Sequence, residues 1–508
     1  MNRTPRIAGP LVLVLLLSGC ALGPDWTGPG TDDQTQVQSL PDQPPPDQPL
    51  SAGPGEPAQI LKLTEELPVA WWHLFSSPAI DQAIRRALAG NHDLAAAEAS
   101  LDQARFLTAG AEGGLYPGLA LSVDATRTDT GSGTGLGGAT GTSSSRSRSG
   151  LYNLYSIGPR VSYALDVFGA TRRTVEQRQA EAEASAHKAR AAYLSLTGNV
   201  VTQALTIASL NAQLEAAHEI VAANQRTVDL VGQQLDAGKA ALADLLTAKT
   251  DLANARTAIP PLSQQLAVAR HALAALYGEG PQATATFTLS LRDISLPVEV
   301  PLSVSSTLAR QRPDVLQAEA NLHAASAAIG VATANLYPSL TLSASLSDDA
   351  LTLGKLFEAS NLGWSLGASL SQTIFDGGTL EANRQAAIAN WRTALATYRQ
   401  TLMDAFRQTA DALSALAHDA ELVAAERLAL DTAREAADLK RFSYAEGKAS
   451  LVELLIAERS HQQAAEGYAR AVGQRHIDTA QLFVALGGGW WDPPPPMSGA
   501  AQDTLLPK

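Results

Sequence analysis

The chain has 508 residues, and its 50 acidic residues outnumber its 37 lysines and arginines, which gives a formal net charge of −13 at neutral pH. This excess of negative charge argues against a nucleic-acid-binding protein, because binding to phosphates requires a basic face. The single cysteine excludes an intrachain disulfide. The nine histidines are scattered, and the sequence contains no HExxH motif, phosphate loop or GxSxG turn, so an enzyme, a metal site and a bound cofactor are not expected.

The N-terminus has the features of an export signal that ends at the cysteine. Two arginines precede an apolar run at residues 11–17, which is too short to span a membrane as a helix. The Leu-Ser-Gly-Cys that follows resembles a bacterial lipobox, so residues 1–19 are predicted to be a signal peptide and Cys20 the site of lipid attachment. A lone buried thiol is the alternative, which the position after a cleavage site disfavours. Ala21 follows instead of the aspartate that retains enteric lipoproteins in the inner membrane, so the outer membrane is expected.

The next segment, residues 20–68, is rich in proline, glycine, aspartate and glutamine. This composition supplies no core and predicts an extended or partly disordered tether behind the lipid. Ordered structure is expected to begin at Trp71 and Trp72, which we interpret as packing anchors. A helical period continues from there to residue 105, with Pro78 in a first helical turn. A second proline-rich segment, residues 491–508, is the predicted C-terminal tail.

Four short stretches replace the helical period with alternation of apolar and small polar residues, the pattern of a two-faced strand. They lie at residues 119–126, 160–167, 340–347 and 362–371. The Gly/Ser/Thr-rich segment 128–150 is interpreted as an exposed loop. The alternation fits a membrane barrel, but an antiparallel sheet with one exposed face on a soluble protein gives the same pattern. A closed membrane barrel needs about eight strands or more, so a spanning sheet requires several chains, and three would supply twelve strands.

A long helix follows each pair of strands. Residues 170–236 and 379–444 contain no proline, and each range is predicted to be a single helix. About 65 residues at ~1.5 Å each give a rod of roughly 100 Å, about three times the ~30 Å hydrocarbon core of a bilayer. Because polar residues are spread along it, such a helix is expected to cross an aqueous space. A return helix follows each rod; the first is interrupted at Pro260 and Pro261, and the second ends before the glycines at 487–489.

A ten-residue phrase marks both junctions between a long helix and its return helix: AGKAALADLL at residues 237–246, the first corner, and EGKASLVELL at 446–455, the second corner. Six of the ten positions are identical, and the glycines are 209 residues apart, which suggests a duplication. We expect two repeats, at 69–290 and 291–490, each ordered helix, strand, strand, helix, helix. The glycine can adopt the left-handed conformation that ends a helix, and the lysine complements the negative helix end. These residues are Gly238 and Lys239 in the first corner and Gly447 and Lys448 in the second.

The order of these features resembles the TolC-like outer-membrane efflux proteins, in particular the lipoprotein branch that works with resistance–nodulation–division pumps. The matching segments are WWHLFSSPAIDQAIRRALAGNHDLAAAEA, RPDVLQAEANLHAASAAIGVATANLYPSLTLSAS, IFDGGTLEANRQAA and ALGGGW. With the lipobox and both corners they cover nearly all of residues 71–491. The resemblance implies a mixed, mainly α-helical fold, in which long helical hairpins form a trimeric periplasmic α-barrel and four β-strands per subunit contribute to a twelve-stranded outer-membrane β-barrel.

The resemblance also assigns a role to the two corners. It implies that Gly238, Lys239, Gly447 and Lys448 lie at the periplasmic tip, where a membrane-fusion adaptor docks and the channel narrows. It further implies a homotrimer in the outer membrane that works with this adaptor and an inner-membrane pump of the resistance–nodulation–division type. No nucleic-acid partner and no cofactor other than the covalent lipid on Cys20 are expected.

Acidic residues lie six positions after each corner glycine in such proteins, and Asp244 and Glu453 occupy these positions here. Six carboxylates from three subunits would form a periplasmic constriction that attracts cations and raises some of its own pKa values. From the residues alone, stabilisation of a helix N-terminus is an equally good role for both acids. Many relatives carry a further aspartate three positions on, whereas Thr247 and Ile456 stand there in this chain, which implies a less acidic or partly apolar constriction.

The function that the resemblance implies is the exit duct of a tripartite efflux system, which passively conducts small molecules from pump and adaptor to the exterior. The alternatives are an outer-membrane channel for type I protein secretion and a structural coiled-coil lipoprotein. A coiled-coil lipoprotein leaves the four alternating stretches unexplained. The transported substrate is not predicted, because the pump selects it.

Overall fold

The computed structural model describes residues 21–28, 49–53, 57–62, 67–129, 151–301 and 311–489. The strands are β1 (Pro49–Leu50), β2 (Gln59–Lys62), β3 (Gly118–Asp129), β4 (Leu151–Leu165), β5 (Glu299–Pro301), β6 (Ser339–Ala350) and β7 (Leu362–Ser371). The α-helices are α1 (Pro78–Gly90), α2 (His92–Gly113), α3 (Ala170–Asp236), α4 (Leu242–Arg256), α5 (Ile259–Leu276), α6 (Pro313–Ala334), α7 (Thr379–Ala445) and α8 (Leu451–Ala485). The described residues form two compact units: unit 1 contains 21–28, 103–129, 151–182 and 320–395, and unit 2 contains the others.

Unit 1 is built around a four-stranded antiparallel sheet with the strand order β3-β4-β6-β7. All four strands that the alternating pattern predicted are present. β4 begins well before its alternating residues, because it pairs with β3 over the whole length of β3, from Gly118 opposite Ser162 to Asp129 opposite Leu151. Hydrogen bonding to a neighbour therefore extends this strand beyond its sequence signal.

The first part of β4 was not predicted from the sequence, because two residues in the middle of the strand break its pattern. Gly158 and Pro159 interrupt the alternation, and Gly158 lies so close to β6 that a Cβ atom there would clash with the carbonyl group of Leu346. The predicted loop at 128–150 lies outside the described residues except for positions 128 and 129, which end β3. The close approach of two backbones explains a glycine in a strand interior.

The sheet of unit 1 exposes large apolar side chains. Leu121 on β3 and Trp364 on β7 are 70% and 79% exposed in the single chain. Leu119, Val123, Leu366 and Leu370 are exposed with them. An apolar patch of this kind marks contact with a membrane or with another protein. Within the described residues β3 and β7 each pair with one strand only, so each keeps an edge that can accept another strand.

Residues 21–28, part of the predicted tether, belong to unit 1 and contact its helices α3 and α6. The buried guanidinium group of Arg173 on α3 holds them, because its Nε donates to the Leu22 carbonyl at 3.1 Å and its Nη2 forms an ion pair with Asp25 at 2.6 Å. The indole ring of Trp26 stacks on the ring of His323 on α6, with centroids 4.8 Å apart. The sequence predicted an extended or partly disordered tether here; residues 21–28 form neither helix nor strand, but contacts with residues far away in the sequence hold them in place.

Unit 2 contains a small sheet, ordered β1-β2-β5, that the composition of residues 20–68 did not predict. The side chains of Gln59 and Leu61 on β2 are almost completely buried, and Gln59 Nε2 donates to Thr479 Oγ1 on α8 at 3.3 Å. The expectation that residues 20–68 supply no core, and that order begins at Trp71, is therefore wrong. Residues 29–48, 54–56 and 63–66 of the same segment lie outside the described residues.

The paired tryptophans anchor unit 2, as predicted. Trp71 is fully buried and Trp72 nearly so. The ring of Trp71 lies 6.4 Å from that of Phe75 and 5.7 Å from that of Phe483 near the end of α8, between ring centroids. Aromatic contacts of this kind bury a large apolar area at the start of the helical region.

The predicted helical stretch at 71–105 is divided into three pieces. A short 3₁₀ helix at Trp71–Phe75 precedes α1, which begins at Pro78 as predicted, and Asn91 separates α1 from α2. Asn91 Oδ1 accepts a hydrogen bond from the Leu94 backbone N–H at 2.9 Å, and its Nδ2 donates to the Leu276 carbonyl. Asparagine thus caps a new helix within an otherwise helical period.

The two long helices, α3 and α7, agree with the prediction, and each has 67 residues. The return after α3 is divided into α4 and α5 at residues 257–258, just before the two prolines, and α8 is the undivided return after α7. None of the described helices has the length and apolarity that a membrane-spanning helix requires. Both corners lie in unit 2.

Candidate functional site at the two helical corners

Both corners have the same backbone turn. Gly238 and Gly447 each adopt φ +71°. At the first corner the Lys239 N–H donates to the Gln234 carbonyl at 2.7 Å, and at the second the Lys448 N–H donates to the Ser443 carbonyl at 2.8 Å. This hydrogen bond across five residues, with a left-handed glycine inside it, is the Schellman motif that ends a helix. The glycines are therefore required by the turn itself.

Asp244 and Glu453 each cap the helix that starts after the turn. Asp244 Oδ2 accepts a hydrogen bond from the Ala241 N–H at 3.0 Å, and Glu453 Oε2 accepts one from the Ser450 N–H at 2.8 Å. At the second corner Ser450 Oγ also accepts from the Glu453 N–H at 3.3 Å, which completes a reciprocal capping box. Each acid thus has a local structural role within one chain, whatever it faces in an assembly.

The environment of Glu453 favours its charged form. The Ser450 backbone N–H holds the pKa of the Glu453 carboxyl below its usual value, and Lys440, whose Nζ lies 3.2 Å from Oε1, lowers this pKa further. In the single chain this side chain is exposed and anionic at neutral pH. The predicted rise of pKa by mutual repulsion concerns a ring of several chains and stays a prediction.

The outer surface of each corner combines a lysine with apolar side chains. Lys239 and Lys448 are exposed next to the corner glycines. Leu242 in the first turn of α4 and Val452 in the first turn of α8 are 60% and 65% exposed. A surface of apolar groups beside cations can bind a partner that offers apolar and acidic groups.

Thr247 and Ile456, at the positions where the resemblance implies further aspartates, differ in environment. Thr247 Oγ1 donates to the Ala243 carbonyl at 2.9 Å within its own helix. Ile456 is an exposed apolar side chain. Neither adds a charge to its corner, so Asp244 and Glu453 are the acids at these predicted positions.

An apolar cluster joins the two hairpins beneath the corners. It draws on α3, α4, α7 and α8, and its buried members are Val228, Val231, Ala248, Leu252, Tyr444, Leu451, Leu454 and Leu455. Gln234 Nε2 also donates to the Tyr444 carbonyl at 3.5 Å. The leucines of the two corner phrases are therefore partly core residues, and the corners are held together as one site.

The sequence did not reveal two ion pairs beside this cluster. Arg459 Nη2 on α8 contacts Asp251 Oδ1 on α4 at 2.7 Å and so links the two hairpins. Arg441 on α7 pairs with Glu458 on α8, a carboxylate that is only 2% exposed, with Nε 3.1 Å from Oε1. A glutamate within an apolar helical period was the available signal, because an acid that faces a core needs a partner.

The remaining predicted site residue, Cys20, lies outside the described residues. Across the part of the chain that the structure covers, no group of three or more histidine, cysteine, aspartate or glutamate side chains could hold a metal ion. The geometry of the corners supports binding and electrostatic roles.

The chain is similar to outer-membrane proteins over most of its length. Nodulation protein T of Rhizobium leguminosarum bv. viciae is 30% identical over 94% of this chain and 92% of its own length. The cation efflux system protein CusC of Escherichia coli strain K12 is 28% identical over 94% of this chain and 98% of its own length. Among solved structures, the outer-membrane channel OprN matches with a TM-score of 0.81 and 28% identity, over 93% of this chain and all of that chain.

The model of one protein family, the outer membrane efflux proteins, matches residues 83–279 and 304–488. The two matched ranges each contain a pair of strands of the four-stranded sheet, a long helix and one corner. With the similarity to the TolC-like channel structures, this agreement of sequence and fold is conclusive. The chain belongs to the outer membrane efflux protein family and is a protein of the cell outer membrane.

Proposed function

We propose that this protein is the outer-membrane exit duct of a tripartite efflux system, which conducts small molecules passively from an inner-membrane pump and a periplasmic adaptor to the exterior. The observation that carries the proposal is the sheet of unit 1, with its exposed apolar side chains and with two edges that have no partner strand among the described residues. A soluble protein does not leave both features uncovered, because they lead to aggregation.

The proposed assembly is a homotrimer. Four strands are too few for a closed membrane barrel, which needs about eight or more. If the edge of β3 in one chain pairs with the edge of β7 in the next, three chains close a barrel of twelve strands with the apolar side chains in lipid. Every backbone group of the edges is then hydrogen-bonded, as the membrane requires.

We further propose a lipid on Cys20 that anchors the protein. In the sequence Cys20 precedes Ala21, the first described residue of the segment 21–28 that Arg173 holds within unit 1, the unit that contains the sheet. Cys20→Ser should abolish incorporation of labelled palmitate, whereas Ser18→Ala should retain it; palmitate in the Cys20→Ser protein would contradict the assignment.

The corners are the proposed periplasmic tip. Exposed lysine and apolar side chains supply a surface for the adaptor, and Asp244 and Glu453 supply the charges of the constriction. CusC is described as a protein of a cation efflux system and OpmQ as a pyoverdine export protein. Relatives of one fold thus serve different cargoes, which fits a duct that leaves selection to its pump.

Planar-bilayer recording tests the duct. The purified protein should form a trimer in detergent and carry a cation-selective current, and the double variant Asp244→Asn/Glu453→Gln should lose part of that selectivity. Glu421→Gln, an exposed acid on α7 outside both corners, is the matched control. A monomer without conductance would favour a structural lipoprotein over a duct. Unchanged selectivity of the double variant would leave the two acids as helix caps only.

A further inference from the structure

The loop that joins β6 to β7, residues 351–361, is a structured part of unit 1. It contains two short 3₁₀ turns, Leu353–Lys355 and Ala359–Asn361. A hydrogen bond joins the two turns, because Asn361 Nδ2 donates to the Lys355 carbonyl at 2.8 Å. The β6–β7 loop therefore has a conformation of its own that can present side chains in a fixed arrangement.

Asp348 shows on which face of the sheet this loop lies. On β6 it is opposite Leu362 of β7, next to the pair formed by Leu346 and Trp364. Residues directly opposite, and residues two apart in one strand, have side chains on the same face, so Asp348 belongs to the apolar face, the one that exposes Leu346 and Trp364. Asp348 Oδ2 accepts a hydrogen bond from the Phe357 N–H at 2.8 Å. The loop is thus attached to the apolar face.

The opposite face of the sheet is polar at the same end. Asp349, one residue further along β6, accepts a hydrogen bond from Ser347 Oγ at 2.9 Å and another from Ser156 Oγ on β4. Hydroxyl and carboxylate groups that bind each other suit a surface in contact with water. The side chain that holds the loop lies on the other side of the sheet.

Two unfavourable features meet at the hydrogen bond between Asp348 and Phe357. The Asp348 side chain is only 7% exposed, and its Oδ1 has no hydrogen-bond partner among the described residues, which costs free energy. Phe357 adopts φ +75°, a left-handed conformation that is rare for a bulky residue. The phenylalanine ring is nevertheless 78% exposed. Strain of this kind is retained where a function requires the geometry, here the display of an aromatic ring.

The loop continues the apolar surface of the sheet. Leu351 and Leu353 are 60% and 66% exposed, and Lys355 is exposed beside them. β6 follows α6 and β7 leads into α7, so the loop lies at the end of the sheet opposite to these helices, which is the external end of the proposed duct. Aromatic and basic side chains beside an apolar surface are typical of the interface between a membrane and water.

We infer that the β6–β7 loop binds the external leaflet of the outer membrane, with Leu353 and Phe357 among the acyl chains and Lys355 among the headgroups. Asp348 is the positioning residue that holds the loop on the lipid side of the sheet. Lipid is the partner because the loop is attached to the apolar face and extends it. This contact rests on the proposed duct, because the duct orients the sheet in the membrane.

Spin-label accessibility tests the contact with lipid. The full chain carrying Phe357→Cys is labelled with a nitroxide and reconstituted in vesicles of phosphatidylcholine and phosphatidylglycerol; the wild-type protein gives the background from Cys20. The label should be several-fold more accessible to oxygen, which dissolves in lipid, than to a water-soluble nickel chelate. Leu366→Cys on the apolar face and Ser369→Cys on the polar face of β7 are the matched lipid and water references.

The references separate failure of the loop contact from failure of the duct. A Phe357→Cys label that resembles Ser369→Cys, or that neither reagent reaches because protein covers it, would overturn the lipid contact while Leu366→Cys still reports lipid. If Leu366→Cys itself reports water, the sheet does not face lipid and the duct fails as well.

Two substitutions of Asp348 test its positioning role in the labelled Phe357→Cys protein. Asp348→Asn retains an acceptor oxygen for the backbone N–H of residue 357 and should leave the accessibility of the label unchanged. Asp348→Leu has a similar size and suits an apolar face but has no acceptor, so the label should become more mobile and more accessible to the nickel chelate. Equal accessibility in the two variants would contradict the positioning role. The Leu366→Cys and Ser369→Cys labels should be unaffected by either substitution.

Discussion

The two corners have the same backbone turn but differ in the side chains that stabilise it. Both end a long helix with a Schellman turn around a glycine at φ +71°, and both start the next helix with an acid that caps it. At the second corner Ser450 completes the capping box and Lys440 binds the capping Glu453. At a separation of 209 residues, the first corner has Ala241 and Val231 in place of Ser450 and Lys440.

The two hairpins also differ in the ion pair between Arg441 and the buried Glu458. Arg441 and Glu458 of the second hairpin correspond to Gly232 and Lys249 of the first, which cannot form that ion pair. The first hairpin is instead linked to the second through Asp251 and Arg459 and through the apolar cluster. The repeated phrase thus preserves the turn, which local residues dictate, whereas the ion pairs that support a corner are concentrated at the second one.

The largest loss of stability is expected when Arg441 is replaced. Arg441→Ala leaves the Glu458 carboxylate buried without its partner, and loss of one member of a buried pair costs about 3–5 kcal/mol. Amide exchange at the start of α8 should become faster, with much less change in α4. The matched control is Arg441→Met/Glu458→Leu, which removes both charges and should recover most of the protection. Equal loss in both variants would show that packing of the long side chains, and not charge, supports this corner.

Substitution of either corner glycine should destabilise the protein by a similar amount. Neither Gly238 nor Gly447 has an atom within 4 Å of the position of an added Cβ, so Gly238→Val and Gly447→Val meet backbone strain alone. A left-handed conformation costs an ordinary residue about 1–2 kcal/mol, and a β-branched one at least as much. Urea unfolding should show similar losses, and cross-linking of the proposed adaptor to each tip should weaken. Undiminished cross-linking would count against docking at the corners.

Substitutions at the two N-cap positions, 241 and 450, should change the stability of the helix start at each corner in opposite directions. Ser450→Ala is expected to destabilise the start of α8 by about 1 kcal/mol, and Ala241→Ser should stabilise the start of α4 by a similar amount. Amide exchange of residues 242–245 and 451–454 measures both effects in one experiment. If Ala241→Ser gives no protection, the backbone at the first corner does not place the hydroxyl as Ser450 places its own.

The smallest expected effect is the pH dependence of the stability that Glu453 contributes. Its pKa is lowered by the Ser450 N–H and by Lys440, so its contribution to stability is present above the unfolded value of 4.5 and is lost as pH falls through the lower folded value. Protection factors at the start of α8 should drop below pH 4.5, and Glu453→Gln should remove this dependence. A drop that persists in Glu453→Gln would point to another acid at the corner.

Much of the fold followed from the sequence. The bounds of α3 and α7 were predicted closely, because proline-free helical stretches and the Gly-Lys phrases define their ends locally. The four strands of unit 1 were also predicted, although β4 is longer than its alternating residues. The cap at Asn91, within a helical period, was missed because the same side chain is compatible with an uninterrupted helix.

The candidate site was only half predictable. The corner glycines, the lysines and the acids Asp244 and Glu453 were found from the repeated phrase, and the structure shows the capping role of the acids in a single chain. The pairs Asp251–Arg459 and Arg441–Glu458 were not found, because helices brought together by packing select which charged side chains meet.

The sequence by itself determined the helix lengths, the corner turns and the alternation of the strands. These features depend on interactions among residues a few positions apart, which leave a periodic or positional signal. Only the tertiary structure decided that Gln59 is buried against Thr479 and that Arg173 holds residues 21–28. Those contacts join distant parts of the chain, and their energies depend on burial and on the partner, which no local pattern records.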